Sequence, residues 1–289
     1  RHLRQDNSLQ LKRYFARRIS RLEPPYILCL LIYWLFWTYP PMEHVGNLGA
    51  SMIYAHGPIY GTDSVINHVV WSLEVEIQFY IIAPFLGFVF MVKSRPVRRA
   101  IILGAIAGLI WLDLNLWVID PWISQFRYST TLIGKGVYFL PGFLLADIYL
   151  VEWKSNPPKC LLWDLLGVVG WVGIPVALCW QGRWGIPKNW NWSVLLFQWI
   201  AFVGAFRGRF LSRIFALPVL TVIGGMCYTI YLYHPKLISF TGIIVSNILP
   251  ESADNFTVRF ILLIVIGAGL ILSVSTLLFV LVEKPCMQR

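Results

Sequence analysis

Three groups of polar side chains stand out from an otherwise apolar chain, and each could do chemistry. The first is the run Trp71-Ser72-Leu73-Glu74-Val75-Glu76-Ile77-Gln78-Phe79-Tyr80. On a helix Glu76, Phe79 and Tyr80 share a face at i, i+3 and i+4, and Ser72 lies one turn before Glu76. A carboxylate inside a membrane span is costly unless paired or hydrated. Two readings therefore fit Glu74, Glu76 and Gln78: a site that handles protons or hydroxyls, or a set of hydrogen-bonding anchors between helices.

The second group is Tyr228, Tyr231 and His234 in CYTIYLYHPK, spaced i, i+3, i+6 along one stripe. A histidine titrates near neutrality and can move a proton or hold a substrate hydroxyl. It can equally serve as an interhelical hydrogen-bonding group, and Lys236 can reach back to a headgroup or a carboxylate. The third group is Arg17-Arg18-Ile19-Ser20-Arg21. Arg18 and Arg21, one turn apart, present two forks suited to phosphate oxygens, and anionic lipid would satisfy them as well.

The elements that must position these groups are apolar stretches at 26–42, 69–92, 100–119, 132–151, 160–180, 192–206, 218–249 and 258–282. Each is read as a membrane span. Between them the basic residues alternate. Arg1, Arg4, Lys12, Arg13, Arg17, Arg18 and Arg21 precede the first span, and Lys93, Arg95, Arg98 and Arg99 follow the second. Lys154, Lys159, Arg207, Arg209, Arg213, Lys284 and Arg289 fall in later segments of the same set. The opposite set holds Arg127, Arg183 and Lys188, with Lys135 and Arg259 at helix mouths. The positive-inside rule makes the first set cytoplasmic, with both chain ends inside and 43–68, 120–131, 181–191 and 250–257 outside. The expected fold is an all-α polytopic transmembrane bundle of about eight spans, forming one membrane domain over 1–289.

Within that plan, 8–22 reads as an amphipathic helix lying on the cytoplasmic leaflet, with residues 1–25 as the interfacial segment ended by Pro24 and Pro25. The bundle follows over 26–282 and a cytoplasmic tail over 283–289. A kink is expected near Pro141 and Gly142, with Asp147 near the cytoplasmic end of that span. The stretch 218–249 is too long for one straight crossing, and Pro235 is its expected break.

Composition narrows the class further. Hydrophobic residues make up 57% of the chain and charged residues 13%, which removes it from ordinary soluble domains. The formal charge of +10 sits in short loops and forms no single basic face, so no nucleic-acid partner is expected. Cys29, Cys160, Cys179, Cys227 and Cys286 are scattered without a CxxC pair, which indicates neither a metal site nor a disulfide framework. Trp34, Trp37, Tyr39, Trp180, Trp184, Trp190 and Trp192 form interfacial aromatic belts at span ends.

In order along the chain, RRISRLEPPY at 17–26, WSLEVEIQFYIIAPFL at 71–86, FLPGFLLADI at 139–148, YTIYLYHP at 228–235 and VEKP at 282–285 resemble the acyltransferase-3 family. These are integral membrane acyltransferases of surface and secreted carbohydrates. The resemblance implies that Arg18 and Arg21 handle acyl-coenzyme A. It places Trp71, Glu76, Gln78, Phe79 and Tyr80 in the family's second block, Tyr231 and His234 in its late helix, and Glu283 at its terminal glutamate. Two departures stand out: Ile77 replaces the family's usual Glu, and Pro235 follows His234 with no spacer. The family's opening helix, with an Arg and a His regarded as catalytic, and its second helix have no counterpart here. The resemblance thus implies eight spans of a probable ten, the principal His upstream of residue 1, and a chain inactive alone.

The resulting expectation is an O-acyltransferase of the cell (inner) membrane that moves an acetyl or other short acyl group from acyl-CoA to a hydroxyl of a carbohydrate-containing acceptor. In it Arg18 and Arg21 bind the donor, and acyl-CoA is a co-substrate with no resident cofactor or metal. Glu76, His234 and Tyr231 support catalysis, while Trp71, Gln78, Tyr80 and Glu283 line the substrate path. The lipid bilayer and the carbohydrate acceptor are the expected partners. The alternative is a transporter or flippase, which also places carboxylates and a histidine within its spans.

Overall fold

The structure, a computed structural model, describes residues 7–119, 131–154, 156–180, 191–249 and 255–287. Among them the regular elements are helices: α1 (Asn7–Trp37), α2 (Val45–Met52), α3 (His56–Tyr60), α4 (Trp71–Leu86), α5 (Arg95–Ile119), α6 (Leu132–Val151), α7 (Leu161–Trp180), α8 (Asn191–Arg207), α9 (Leu211–Phe215), α10 (Pro218–Gly225), α11 (Cys227–Ile248), α12 (Phe256–Leu278) and α13 (Lys284–Met287). A π-turn, Phe279–Glu283, joins the last two. Of the outward connections expected at 120–131, 181–191 and 250–257, residues 120–130, 181–190 and 250–254 fall outside the described residues, and with them Arg127, Arg183 and Lys188.

Five helical stretches are long and apolar enough to cross a membrane: Leu11–Trp37, His68–Met91, Leu132–Val151, Leu161–Cys179 and Phe256–Met287. The other three predicted spans fall on α5, which opens with Arg95, Arg98 and Arg99, on the 17-residue α8, and on α11, which carries His234 and Lys236. The protein is all-α and multi-pass.

Contacts divide the chain into two compact units, one of residues 1–56, 63–73 and 222–289 and one of 57–62 and 74–221. In the first, α11 packs along α12, and α1 packs on α2, α11, the π-turn and α13. Tyr26, Cys29, Leu30, Tyr33 and Leu232 are buried between them.

Two expected breaks are corrected here. Helix α1 runs unbroken through Pro24 and Pro25, so no separate interfacial helix ends there. The two prolines deprive the Ser20 and Arg21 carbonyls of their helical donors. Packing holds the segment helical: Pro25 and Tyr26 are buried, and the Tyr228 hydroxyl donates to the Leu22 carbonyl at 3.0 Å. The stretch 218–249 breaks at Met226, after Gly224 and Gly225, whereas α11 continues through Pro235. Two successive glycines lower helix propensity where no partner compensates, and at Pro235 partners do.

In the second unit α7 and α8 approach closely along Gly167, Gly170, Gly173 and Gly204. A Cβ on Gly170 would lie 2.5 Å from the Ala201 amide nitrogen and 2.8 Å from the Phe197 carbonyl oxygen, so only glycine permits this backbone contact. The opposite faces of α7 leave Leu165, Val168, Val169 and Val172 exposed, as lipid contact requires. The α5–α6 pair is tied by charge. Buried Asp147 receives Arg98 through Nε at 2.6 Å and Nη2 at 2.5 Å, and Arg99 through Nε at 2.8 Å. Arg99 also reaches Glu152 at 2.6 Å, and Arg98 Nη1 donates to the Val92 carbonyl at 2.7 Å. The hydrogen bonds that Arg99 donates to Asp147 and then to Glu152 raise its pKa above the ordinary value.

Candidate active site

Arg18, Arg21, Trp71, Tyr231, His234 and Glu283 belong to the first unit, and Glu76, Gln78 and Tyr80 to the second. Arg18 and Arg21 sit one turn apart on α1, both half-buried. The Arg18 guanidinium lies 5.7 Å from the Tyr14 ring centroid. Arg21 Nη2 faces Glu283 Oε1 at 3.5 Å, while its buried Nε–H has no hydrogen-bond partner. Glu283, expected at the start of a tail, is instead fully buried. Its second oxygen accepts the Thr229 hydroxyl at 2.6 Å. A buried carboxylate needs such partners, and this one has a cation on one oxygen and a neutral donor on the other. Nothing in the sequence linked Thr229 to Glu283 across 54 positions; the π-turn that aims Glu283 inward carries no sequence signal either.

Around Pro235 three carbonyls of α11 accept side-chain hydrogen bonds, and that of Tyr231 is the one whose amide donor the proline removes. The Leu232 carbonyl accepts from Tyr33 Oη at 3.2 Å and Asn67 Nδ2 at 3.0 Å. The Tyr233 carbonyl accepts a weaker bond from Tyr33 Oη at 3.3 Å. The Tyr231 carbonyl accepts from His234 Nδ1 at 2.7 Å. Freed backbone groups at a membrane proline need such replacements.

The Tyr231 hydroxyl is fully engaged. It donates to the Val69 carbonyl at 2.5 Å, so Ser72 Oγ, 2.6 Å away, must be the donor in their mutual bond. This phenol has no proton left for a substrate. The sequence placed Ser72 one turn before Glu76; the structure turns it to Tyr231.

In the second unit Tyr80 Oη donates to Glu76 Oε1, which confirms that these two share a face. Gln78 is occupied: its side-chain oxygen accepts the Leu132 amide at 2.8 Å, satisfying an orphan donor in the first turn of α6. Phe79 stacks on Phe139 with centroids 4.3 Å apart. Of the two carboxylates, Glu74 is the buried one and accepts the Gly57 amide at 3.0 Å, whereas Glu76 is half-buried. Trp71 opens α4 and is half-buried. A cavity of about 580 Å³ lies in this unit, walled by Phe79, Phe90, Tyr138, Phe143, Trp199 and Phe202 among others.

The family described as an acyltransferase domain, acyltransferase 3, matches residues 5–280. The peptidoglycan O-acetyltransferase OatA of Listeria monocytogenes is 27% identical over 265 residues, which cover 82% of this chain and 41% of that protein. A Staphylococcus aureus (strain COL) protein provisionally named as an O-acetyltransferase is 25% identical over 267 residues, 80% of this chain and 42% of its own length. The chain thus spans about two fifths of the length of these curated relatives. No solved structure matches it. With a match that runs through nearly every residue described above, the chain belongs to the acyltransferase-3 family.

Proposed function

We propose that the protein is a membrane O-acyltransferase that moves an acetyl or other short acyl group from cytoplasmic acyl-CoA to a hydroxyl of a carbohydrate-containing acceptor. The observation that carries this reading is the Arg18–Arg21 pair on α1, in which Arg21 keeps a buried Nε–H without an acceptor. A guanidinium has five donors in a fixed fork, so Arg21 can face Glu283 with one edge and offer Nε–H to a phosphate oxygen of the donor. In the transfer, the acceptor oxygen attacks the thioester carbonyl carbon, the C–S bond breaks, and the hydroxyl proton passes to a base and on to the departing thiolate. Positive charge beside the coenzyme phosphates holds the donor in place. His234 attends the acceptor hydroxyl, and Tyr231 positions the helix that carries His234. The carbohydrate acceptor class rests on the name of the Listeria relative, which acts on peptidoglycan. Both chain ends are assigned to the cytoplasmic side of the cell (inner) membrane on the loop charges.

The test is acetyl-CoA turnover by the purified full-length protein with Arg18→Ala and Arg21→Ala variants. Each should raise the donor KM by about tenfold or more, since a charge-assisted hydrogen bond is worth roughly 1.5–3 kcal/mol. Lysine should restore only part of the loss. An unchanged donor KM in both variants would return the pair to lipid binding.

A further inference from the structure

Pro235 has no amide hydrogen, and the carbonyl four residues earlier in α11 is that of Tyr231. In an uninterrupted helix the amide of residue 235 would occupy that oxygen. Here His234 Nδ1 lies 2.7 Å from it. A carbonyl can only accept, so Nδ1 must carry the hydrogen. A neutral imidazole has one N–H, so its lone pair falls on Nε2. Among the described residues Nε2 has no hydrogen-bond partner, and His234 is half-buried. The nearby groups of the same unit are committed elsewhere. The Tyr231 hydroxyl is spent on Val69 and Ser72, and the Tyr33 hydroxyl on the Leu232 and Tyr233 carbonyls. Lys236 Nζ lies 5.9 Å from the Tyr33 ring centroid. A histidine that served only to join helices would spend both nitrogens on protein; this one spends Nδ1 on its own helix and presents Nε2.

We propose that Pro235 fixes the tautomer of His234, and that Nε2 is the hydrogen-bond acceptor that orients the acceptor substrate's hydroxyl. The proposal rests on the acyltransferase reading for the identity of that hydroxyl, and on geometry alone for the tautomer. Pro235 is thus a positioning residue that acts through His234. The immediate His-Pro pairing, a departure from the family's spaced pattern, is what makes the device possible: a proline one position later would free the Leu232 carbonyl instead.

The experiment uses the full-length protein in nanodiscs with ¹⁵N-labelled histidine, the His234 signals being assigned by their loss in His234→Asn. The expected spectrum has a protonated Nδ1 and an unprotonated Nε2. Pro235→Ala restores an amide to the Tyr231 carbonyl and should give mixed tautomers. The kinetic arm uses His234→Asn, whose amide nitrogen replaces Nδ1–H but leaves nothing at Nε2. Its unfolding temperature should stay near the parent's, while the KM for the acceptor rises roughly tenfold, the loss of about one hydrogen bond, and the donor KM stays unchanged. His234→Gln, which returns a polar atom near Nε2, should recover part of the acceptor affinity. A protonated Nε2 in the parent, or a normal acceptor KM in His234→Asn, overturns the proposal. Failure of all acyl transfer from acetyl-CoA would instead overturn the functional reading and leave the tautomer result standing.

Discussion

Replacing Asp147 by leucine should cost about 3–5 kcal/mol of stability, the range seen when one partner of a buried ion pair is removed. Arg98 is 6% exposed and Asp147 1%, so a guanidinium deprived of its carboxylate cannot turn to water without moving α5. Its remaining bond, Nη1 to the Val92 carbonyl, satisfies only one of five donors. Arg99 is less affected because it is more exposed and keeps Glu152. Asp147→Asn, which retains one acceptor oxygen, belongs at the lower end of the range. Against a total of roughly 5–15 kcal/mol such a loss is a large fraction of the fold's stability. Unfolding in detergent, followed for Asp147→Leu, Arg98→Met and the double variant, gives the measurement. The double variant removes both charges and should be more stable than the sum of the single losses by at least about 1.5 kcal/mol. A loss below about 1 kcal/mol for Asp147→Leu, or additive single losses, would refute the claim that this buried pair binds α5 to α6.

Thr229→Val should destabilise the first unit by about 1.5–3 kcal/mol, because Glu283 loses a buried hydrogen bond to a charged oxygen; thermal unfolding checks this, and an unchanged midpoint contradicts it. Gly170→Ala forces a methyl into the backbone of α8 and should cost about 1–3 kcal/mol, whereas alanine at Gly104, which has open space, should be nearly silent in the same assay. For topology, single cysteines in a cysteine-free background should react with an impermeant reagent at position 62 and not at position 96 in intact cells. The reverse pattern would invert the proposed orientation.

Much of the architecture was legible because a span's length and apolarity are local properties. The stretch 132–151 coincides with α6, and the kinship of Glu76 with Tyr80 followed from helical spacing alone. Proline positions misled where partners distant in sequence refill what a proline vacates. Pro24, Pro25 and Pro235 read as breaks, but side chains hold both segments helical: Tyr228 bonds the Leu22 carbonyl, Tyr33 and Asn67 bond that of Leu232, and His234 takes the Tyr231 carbonyl that Pro235 vacates. The candidate site was legible as residue types and not as partnerships. Arg21 and Glu283 were both named, yet their pairing depends on how α1 meets the end of α12, which no window of the chain encodes. Gln78 and Ser72 looked available because spacing shows a face and not its occupant.

The wide turn at Phe279–Glu283 has a consequence for orientation. A regular helix couples its two ends rigidly, since each residue advances the azimuth by about 100°. Had α12 continued regularly, the sides of it that suit lipid would also have dictated where residue 283 pointed. One additional residue in the turn decouples them. The apolar span can follow the bilayer while its last turn follows α1 and α11, and Glu283 is brought round to Thr229 and Arg21. Wound regularly at about 100° per residue, the same five residues would carry Glu283 past both partners with hydropathy and composition unchanged.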